Sequence, residues 1–330
     1  MKHLVKVTCV VGLVLFATAA WTTAQTGNVK SQSASRSKRA EPKFPVTPEV
    51  FISQFNGAEG ITFNAEGRLF IGANNAIWIA EPDGSAKKIA DVHRHLGQAR
   101  IGRRDILACD FGPTNVFANG PNDDGIVWRI TPEGKKTVVA AGIADPNAVV
   151  VLRDGTLLVS DDGTDKIYRV KNNKVSVWST AVPFPNGLAL SLDNRTLYVA
   201  QIFGDLKPTP AGNLKATTFV DLIWAFNLRN GLPVGPPKVI GRTGGRGVDG
   251  LVMDELGRVY IADNGAGKIM RLDPKSGEMT LIAEGMPNVA SLVFGEGKFD
   301  REAIYATSTS TGGGKIWKVH VGVRGAPYNK

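Results

Sequence analysis

One phrase recurs four times along the chain and limits what it can fold into. It reads EGITFNAEGRLFIGA from Glu59, NAVVVLRDGTLLVS from Asn147, NGLALSLDNRTLYVA from Asn186 and DGLVMDELGRVYIA from Asp249. Each copy has one oxygen-bearing side chain, a short apolar run, a turn residue eight positions on and a second apolar run. The turn residue is Gly67, Gly155, Asn194 or Gly257, the types that accept a left-handed backbone. Two short apolar runs about a tight turn make a β-hairpin. A polar residue at one register of every copy predicts that those oxygens meet in space.

Two further strand-like runs follow each hairpin. The third has the forms DGIVWRI (124–130), DKIYRV (165–170), GKIMRL (267–272) and GKIWKV (314–319). The fourth reads KTVVAAG (136–142), VSVWSTA (175–181), PKVIGRT (237–243) and MTLIAEG (279–285). Units of this kind begin near 59, 105, 147, 186, 249 and 290. Four strands per unit, with a repeat of about 40 residues, is the pattern of a β-propeller blade. The expected fold is all-β: a six-bladed β-propeller over 45–330, with four antiparallel strands per blade. After GKIWKV the last unit has little room for a fourth strand, whereas VFISQF (50–55) precedes the first unit. This N-terminal strand is expected to close the last blade and remove an exposed edge.

The topology puts the loop before strand one and the loop after strand two on one face. Two long segments, 90–104 and 201–219, belong to that face and are expected to form a wall or lid over the channel. Taken in order, the strand-one starts are Glu59, Asp105, Asn147, Asn186 and Asp249, with Asn288 or Ala290 as the sixth. No His or Cys is among them. An all-oxygen set of carboxylates and amides suits a hard divalent cation, with Ca2+ first and Zn2+, Mn2+ or Mg2+ as alternatives. The competing reading is that each Asn or Asp merely caps a turn.

Length and charge narrow the function classes. Residues 1–24 have Lys2 and Lys6, an apolar run from Val7 to Ala20 and a small-residue cleavage pattern, and read as a secretory signal peptide. An uncleaved anchor is the alternative, with a run short for a membrane span. The expected location is exported, periplasmic or secreted. Residues 25–44 read as a disordered basic linker. Of the net charge of +9, the first 24 residues carry +2 and 25–44 carry +4, which leaves +3 for 45–330. A nearly balanced globular part argues against a nucleic-acid partner. Beyond the signal the chain has one cysteine, Cys109, which reads as a buried structural thiol in an apolar strand.

The phrases AEGITF (Glu59), DPNAVVV (Asn147), PNGLALS (Asn186) and DGLVMDELGRVYIADNG (Asp249) resemble the senescence marker protein/gluconolactonase/luciferin-regenerating enzyme family, related to diisopropyl fluorophosphatase. The resemblance covers residues 50–320. It implies a six-bladed propeller with Glu59, Asn147, Asn186 and Asp249 around a central divalent metal. It further implies Ca2+-dependent hydrolysis, commonly of a lactone, with Asp249 as base or nucleophile. The basic segment 90–104 has no counterpart in the family's sugar-lactone-binding residues. Candidate substrate contacts are Asp105, His93, His95, Arg103, Arg104 and Asp162, the basic members suiting an anionic lactone or ester. No further cofactor is expected, and the chain is expected to act as a monomer. Two other readings compete: a non-catalytic propeller that binds a ligand or protein on its loop face, and a phosphotriesterase-like hydrolase at the same metal.

Overall fold

A computed structural model of the chain describes residues 41–114, 122–210, 214–309 and 314–327. The signal segment and most of the linker therefore lie outside the described residues. No described residue is helical.

The strands follow the repeat. β1 (Glu49–Ile52) comes first. Blade one is β2 (Ala58–Phe63), β3 (Leu69–Ala73), β4 (Ala76–Ala80) and β5 (Ala86–Asp91). Blade two is β6 (His95–Ile101), β7 (Asp105–Asp110), β8 (Gly125–Ile130) and β9 (Lys136–Ile143). Blade three is β10 (Pro146–Val151), β11 (Leu157–Asp161), β12 (Ile167–Lys171) and β13 (Lys174–Ser179). Blade four is β14 (Pro185–Leu190), β15 (Thr196–Pro208), β16 (Leu214–Arg229), a two-residue β17 (Leu232–Pro233) and β18 (Lys238–Arg242). Blade five is β19 (Val248–Met253), β20 (Val259–Asp263), β21 (Lys268–Leu272) and β22 (Met279–Glu284). Blade six is β23 (Val289–Phe294), β24 (Ala303–Ser308) and β25 (Ile316–His320).

The expected closure is present: β1 pairs antiparallel with β25 through Glu49↔Lys318, Val50↔Trp317 and Ile52↔Ile316. The fold is a six-bladed propeller of antiparallel blades, one of them built from both ends of the described chain. The predicted turn residues Gly67, Gly155, Asn194 and Gly257 all take left-handed φ, between 58° and 88°.

Each of the six apolar clusters among the described residues fills the space between two neighbouring blades. At the β1 seam Phe51 meets Phe299 and Tyr305 edge-on, with ring centroids 6.0 and 5.1 Å apart. Such edge contacts add to the burial of both faces. At the channel wall the third residue of each innermost strand is small. A Cβ on Gly60 would lie 1.9 Å from Leu96 O, one on Gly97 2.5 Å from Asn147 O, one on Gly187 2.1 Å from Asp249 O, and one on Gly250 2.5 Å from Ala290 O. Ala148 and Ser291 hold the same place in blades three and six. There hydroxyls do the joining: Ser160 Oγ donates to Asn186 O at 2.6 Å and Thr307 Oγ1 donates to Glu59 O at 2.6 Å. These contacts set the order around the channel as residues 59, 96, 147, 186, 249 and 290.

Three expectations need correction. Segment 90–104 is not a loop: it holds the end of β5, a short link, all of β6 and the next turn. Blade two therefore starts at His95, and its ring residue is Leu96, not Asp105. Segment 201–219 is not a loop either, because β15 and β16 stay paired as far as Pro208↔Leu214, a hairpin that outruns the blade. Finally, residues 41–44 belong to the folded body. Glu41 bridges Arg258 at 2.6 Å and Arg271 at 2.9 Å, and the Arg271 guanidinium lies 5.0 Å from the Phe44 ring centre. Val46 then donates its N–H to Ile282 O at 2.8 Å, which ties this segment to blade five.

Candidate metal centre at the channel mouth

The ring position is the second residue of each innermost strand. Its members are Glu59, Leu96, Asn147, Asn186, Asp249 and Ala290, which settles the sixth place on alanine. The four residues of the repeated phrase are thus brought to one level of one channel, each at the irregularity that follows the first paired residue of its innermost strand. Asn147, Asn186 and Asp249 are buried, and Glu59 is partly open to a cavity of ≈ 290 Å3. That cavity is also lined by Asn56, Asn75, His93, Arg94, His95 and Thr309.

A second tier comes from the residue that follows strand two. Three blades end that strand with Asp-X-Gly: Asp110-Phe111-Gly112, Asp161-Asp162-Gly163 and Asp263-Asn264-Gly265. The aspartates are fully buried and accept backbone N–H groups that would otherwise be unpaired. Asp110 accepts from His93 N, Arg94 N and Gly112 N, Asp161 from Asp145 N and Gly163 N, and Asp263 from Arg246 N. Trp128 Nε1 also donates to Asp110, at 2.9 Å. These carboxylates therefore fix the entry to strand one. In two of the three the middle residue is bonded to the ring, whereas Phe111 packs in the apolar core between blades two and three. Asn147 Nδ2 donates to Asp162 Oδ2 at 3.1 Å, and Asn264 Nδ2 donates to Asp249 Oδ2 at 3.2 Å. Each of these pairs spans 15 residues.

These bonds orient the ring. With its nitrogen on Asp162, the Asn147 amide presents its oxygen to the channel (the oxygen and nitrogen being assigned from that bond). The Asp249 carboxylate is held by Asn264 and by the backbone of Gly250. Asn186 Oδ1 and Asp162 Oδ1 are buried and have no hydrogen-bond partner among the described residues. Unpartnered buried oxygens are costly. Glu59, Asp249 and Asp162 are all pushed upward. Glu59 is raised first by burial and then by Asp249, against the pull of Arg94. Burial also raises Asp249, against the Asn264 hydrogen bond. Asp162 is raised by burial, then by the charges of Asp145, Asp161, Glu59 and Asp249. This is a pocket of crowded negative charge and unpaired oxygens, the environment that a hard cation relieves. Among the described residues no three His, Cys, Asp or Glu side chains form a metal-sized group by themselves, so a cation here would rely on the two amides.

The other candidates divide by position. Asp162 lies beside Asn147 as described. His95 faces the cavity beside Glu59, with Nδ1 accepting from Asn75 N at 3.2 Å. Burial, then the Arg94 charge, pushes its pKa down to about 4, so the ring is neutral near pH 7. His93 is half-exposed and its Nδ1 lies 3.2 Å from Asp110 Oδ2. His93 and His95 are thus held by different partners rather than as a dyad. Asp105, Arg103 and Arg104 are not brought to this face. They cluster at the opposite end of blade two, where Asp105 pairs with Arg129 at 2.7 Å and Arg103 with Glu66 at 3.4 Å, and Arg104 bonds Glu133. The cause is the register of blade two: β6 runs from the channel mouth to the far face before Arg103 is reached. Cys109 is fully buried in β7, and burial followed by the Asp110 charge pushes its thiol far upward, as expected of a structural cysteine.

Asn264 and the Asp-X-Gly clamps are the parts of the site that the repeat reading left out. The signal was present, because DFG, DDG and DNG stand at one place in three units.

Residues 158–310 match the sequence profile of the SMP-30/Gluconolactonase/LRE-like region, a span that takes in Asn186, Asp249 and Asn264. No curated protein sequence matches the chain. Solved structures share the fold at low identity. Regucalcin from Agrobacterium tumefaciens, described as a calcium-binding protein, is 18% identical, with 87% of this chain and 98% of that chain aligned and a TM-score of 0.66. A gluconolactonase from Xanthomonas campestris is 17% identical over 87% and 99% of the two chains, with a TM-score of 0.63. A luciferin-regenerating enzyme is 14% identical over 86% and 100%, with a TM-score of 0.62. At such identities the neighbours establish the architecture. By the family match over residues 158–310 and by the common propeller, the chain resembles the SMP-30/gluconolactonase/LRE-like proteins.

Proposed function

We propose that the chain hydrolyses lactones or related small esters at the channel mouth, using one divalent cation, Ca2+ first, held by Glu59, Asn147, Asn186 and Asp249. The observation that carries this reading is the convergence of those four oxygen-bearing side chains at one register, with Asn186 Oδ1 buried and unpartnered among the described residues. The family match and the gluconolactonase neighbour support the substrate class. When bound, the cation supplies Lewis acidity to a substrate carbonyl and lowers the pKa of a water.

The chain's own residues supply the rest. Asp249, steered by Asn264, takes a proton from the attacking water or attacks the carbonyl itself. Asp162 keeps the Asn147 oxygen aimed inward. Arg94, which lines the cavity with Glu59, offers a positive charge to the developing oxyanion or to an anionic substituent. Neutral His95 offers a hydrogen bond without adding charge. Export through residues 1–24 belongs to the same proposal and is checked by the N-terminal sequence of the mature chain.

A lactone panel assayed with and without chelator tests the reaction. Activity is expected to disappear with chelator, return with Ca2+, and fall about 10^2–10^4-fold in Asp249→Asn. Turnover that persists in both conditions would exclude this mechanism. Ca2+ binding without turnover of any panel member would favour a ligand-binding propeller.

A further inference from the structure

We propose that blade four gives this site an apolar wall, and that its substrates are lactones or esters bearing an alkyl or aryl substituent rather than fully hydroxylated ones. The inference rests on the hydrolase reading of the same channel and concerns what lies beside it.

The wall begins at the second tier. Blades three and five place Asp162 and Asn264 after strand two, each bonded to a ring residue. Blade four places Ile202 there, directly after Gln201, the partner of Pro185 in β14. An apolar side chain thus stands between two polar stations of the same tier. Phe184, two residues before Asn186, continues the surface. It holds a left-handed φ of 45°, a costly conformation for a bulky residue. Two backbone bonds keep it there: Phe184 N donates to Thr164 O at 2.9 Å, and Phe184 O accepts from Ile202 N at 3.4 Å. The turn ahead of Asn186 therefore holds a half-buried aromatic residue two positions before the ring.

The long hairpin extends the wall. Phe203 and Phe219 face each other across β15 and β16 in register, with ring centroids 5.3 Å apart, and Phe184 lies 6.2 Å from Phe203. The strip returns to the ring at Gly247, two residues before Asp249. A Cβ there would lie 3.0 Å from Phe219 Cδ1 and 3.6 Å from Ile202 Cγ1. The apolar strip therefore runs from Asn186 to Asp249, beside two of the proposed ligands, with Ile202 and Phe203 buried in it and Phe184 and Phe219 partly open. Phe219 remains 44% exposed, a large aromatic left in water next to a reactive centre. The wall over blades one and two is polar instead, with Asn75, Arg94 and His95. A mouth with one polar and one apolar side selects a substrate of the same two-sided character.

The test uses the full chain loaded with Ca2+ and a homologous series of γ-lactones with lengthening alkyl chains. In parallel, calorimetry measures binding of the matching alkyl lactams, which resist hydrolysis. Both kcat/KM and lactam affinity are expected to rise about twofold to threefold per methylene, less than the fourfold of full burial. Phe219→Ala should flatten both slopes and Phe219→Leu should restore much of them. Phe219 is exposed enough for its replacement to fold. A flat series in the wild type, with short lactones still hydrolysed, overturns the apolar wall and leaves the hydrolase reading standing. Chain-length-dependent lactam binding that is lost in Phe219→Ala, with no lactone hydrolysed, upholds the wall and removes the hydrolase reading. Lactam affinity independent of chain length, or a slope unchanged in Phe219→Ala, also overturns the wall.

Discussion

Two carboxylates and two amides define the site at the scale of residues, and their neighbours decide what they can do. Asn264 touches Asp249 and none of the other proposed ligands by hydrogen bond. Losing it leaves the carboxylate only its backbone bond from Gly250, so Asn264→Ala is expected to weaken Ca2+ affinity or kcat about 10- to 100-fold, as removal of such orienting partners does. Calorimetric titration with Ca2+ and steady-state kinetics read the two effects separately. The raised acids also set a pH dependence with a definite sign. Glu59 and Asp249 start from ordinary values of 4.5 and 3.8 and are both pushed up in the folded chain. In chelator the folded state keeps protons that the unfolded state has already released. Stability is then fully present below the ordinary carboxylate range and falls as pH rises through the raised values. A bound cation favours the ionised acids instead. Melting curves are therefore expected to show a gap between Ca2+ and chelator that widens with pH, and a constant gap would refute the paired-acid site. The shared register of Glu59, Asn147, Asn186 and Asp249 was legible because they open phrases of the same pattern. Asn264 was hidden because its importance lies in a hydrogen bond across a hairpin, not in the residue starting a strand.

At the scale of elements, the innermost strands are spaced by missing side chains. Gly187 has its Cα against the backbone of Asp249 and Gly250, with no space for a methyl group. Gly187→Ala is expected to cost about 1–3 kcal/mol of stability and to lower activity as well, since the displaced group is the ring residue itself. Urea unfolding and lactone turnover measure the two losses. Gly155→Ala serves as the contrast: its Cβ would meet nothing within 4 Å, and the strain of a left-handed φ is its only burden. The element that resisted reading was β6. Its ring residue is Leu96, and its sequence HLGQARI lies among basic residues, so neither the polar marker nor an apolar run announced it. The pattern that did survive in β6 is the small residue one place after the ring, Gly97. The extended hairpin of β15 and β16 was hidden for a related reason. Prolines and glycines between 204 and 212 resemble a loop, while the register that keeps the strands together is a property of the pair.

For the molecule as a whole, stability depends on closing the ring. β1 and the residues just after it bring Phe51, Ile52 and Phe55 into the seam between blades six and one. Deleting 45–56 removes that packing and the pairing to β25, and is expected to lower stability by more than about 5 kcal/mol, given 2–5 kcal/mol for each large buried side chain lost. The Glu41 bridge to Arg258 and Arg271 adds a second tie, to blade five. Glu41→Ala should lower stability by about 1–3 kcal/mol, the range for hydrogen bonds to charged groups. Thermal unfolding of both variants separates the seam from the tie. The number of blades and the strand closing the last one were readable from the repeat. The role of residues 41–44 was not, because a charged and proline-containing stretch looks like a linker until its partners from blade five are in place.

The hydroxyl of Thr307 donating to the carbonyl of Glu59 joins residues 248 positions apart. It is among the longest-range links in the chain, and it holds the one proposed ligand that belongs to blade one. Asn147, Asn186 and Asp249 reside in three consecutive blades and can find their places through local pairing. Glu59 meets blade two through local contacts, where a Cβ on Gly60 would lie 1.9 Å from Leu96 O, and takes its second support only when blade six has been made and has met blade one. Contacts of such sequence separation form late. In the proposed site the ligand synthesised first is therefore the last to be braced from both sides, and its rigidity marks the closing of the ring.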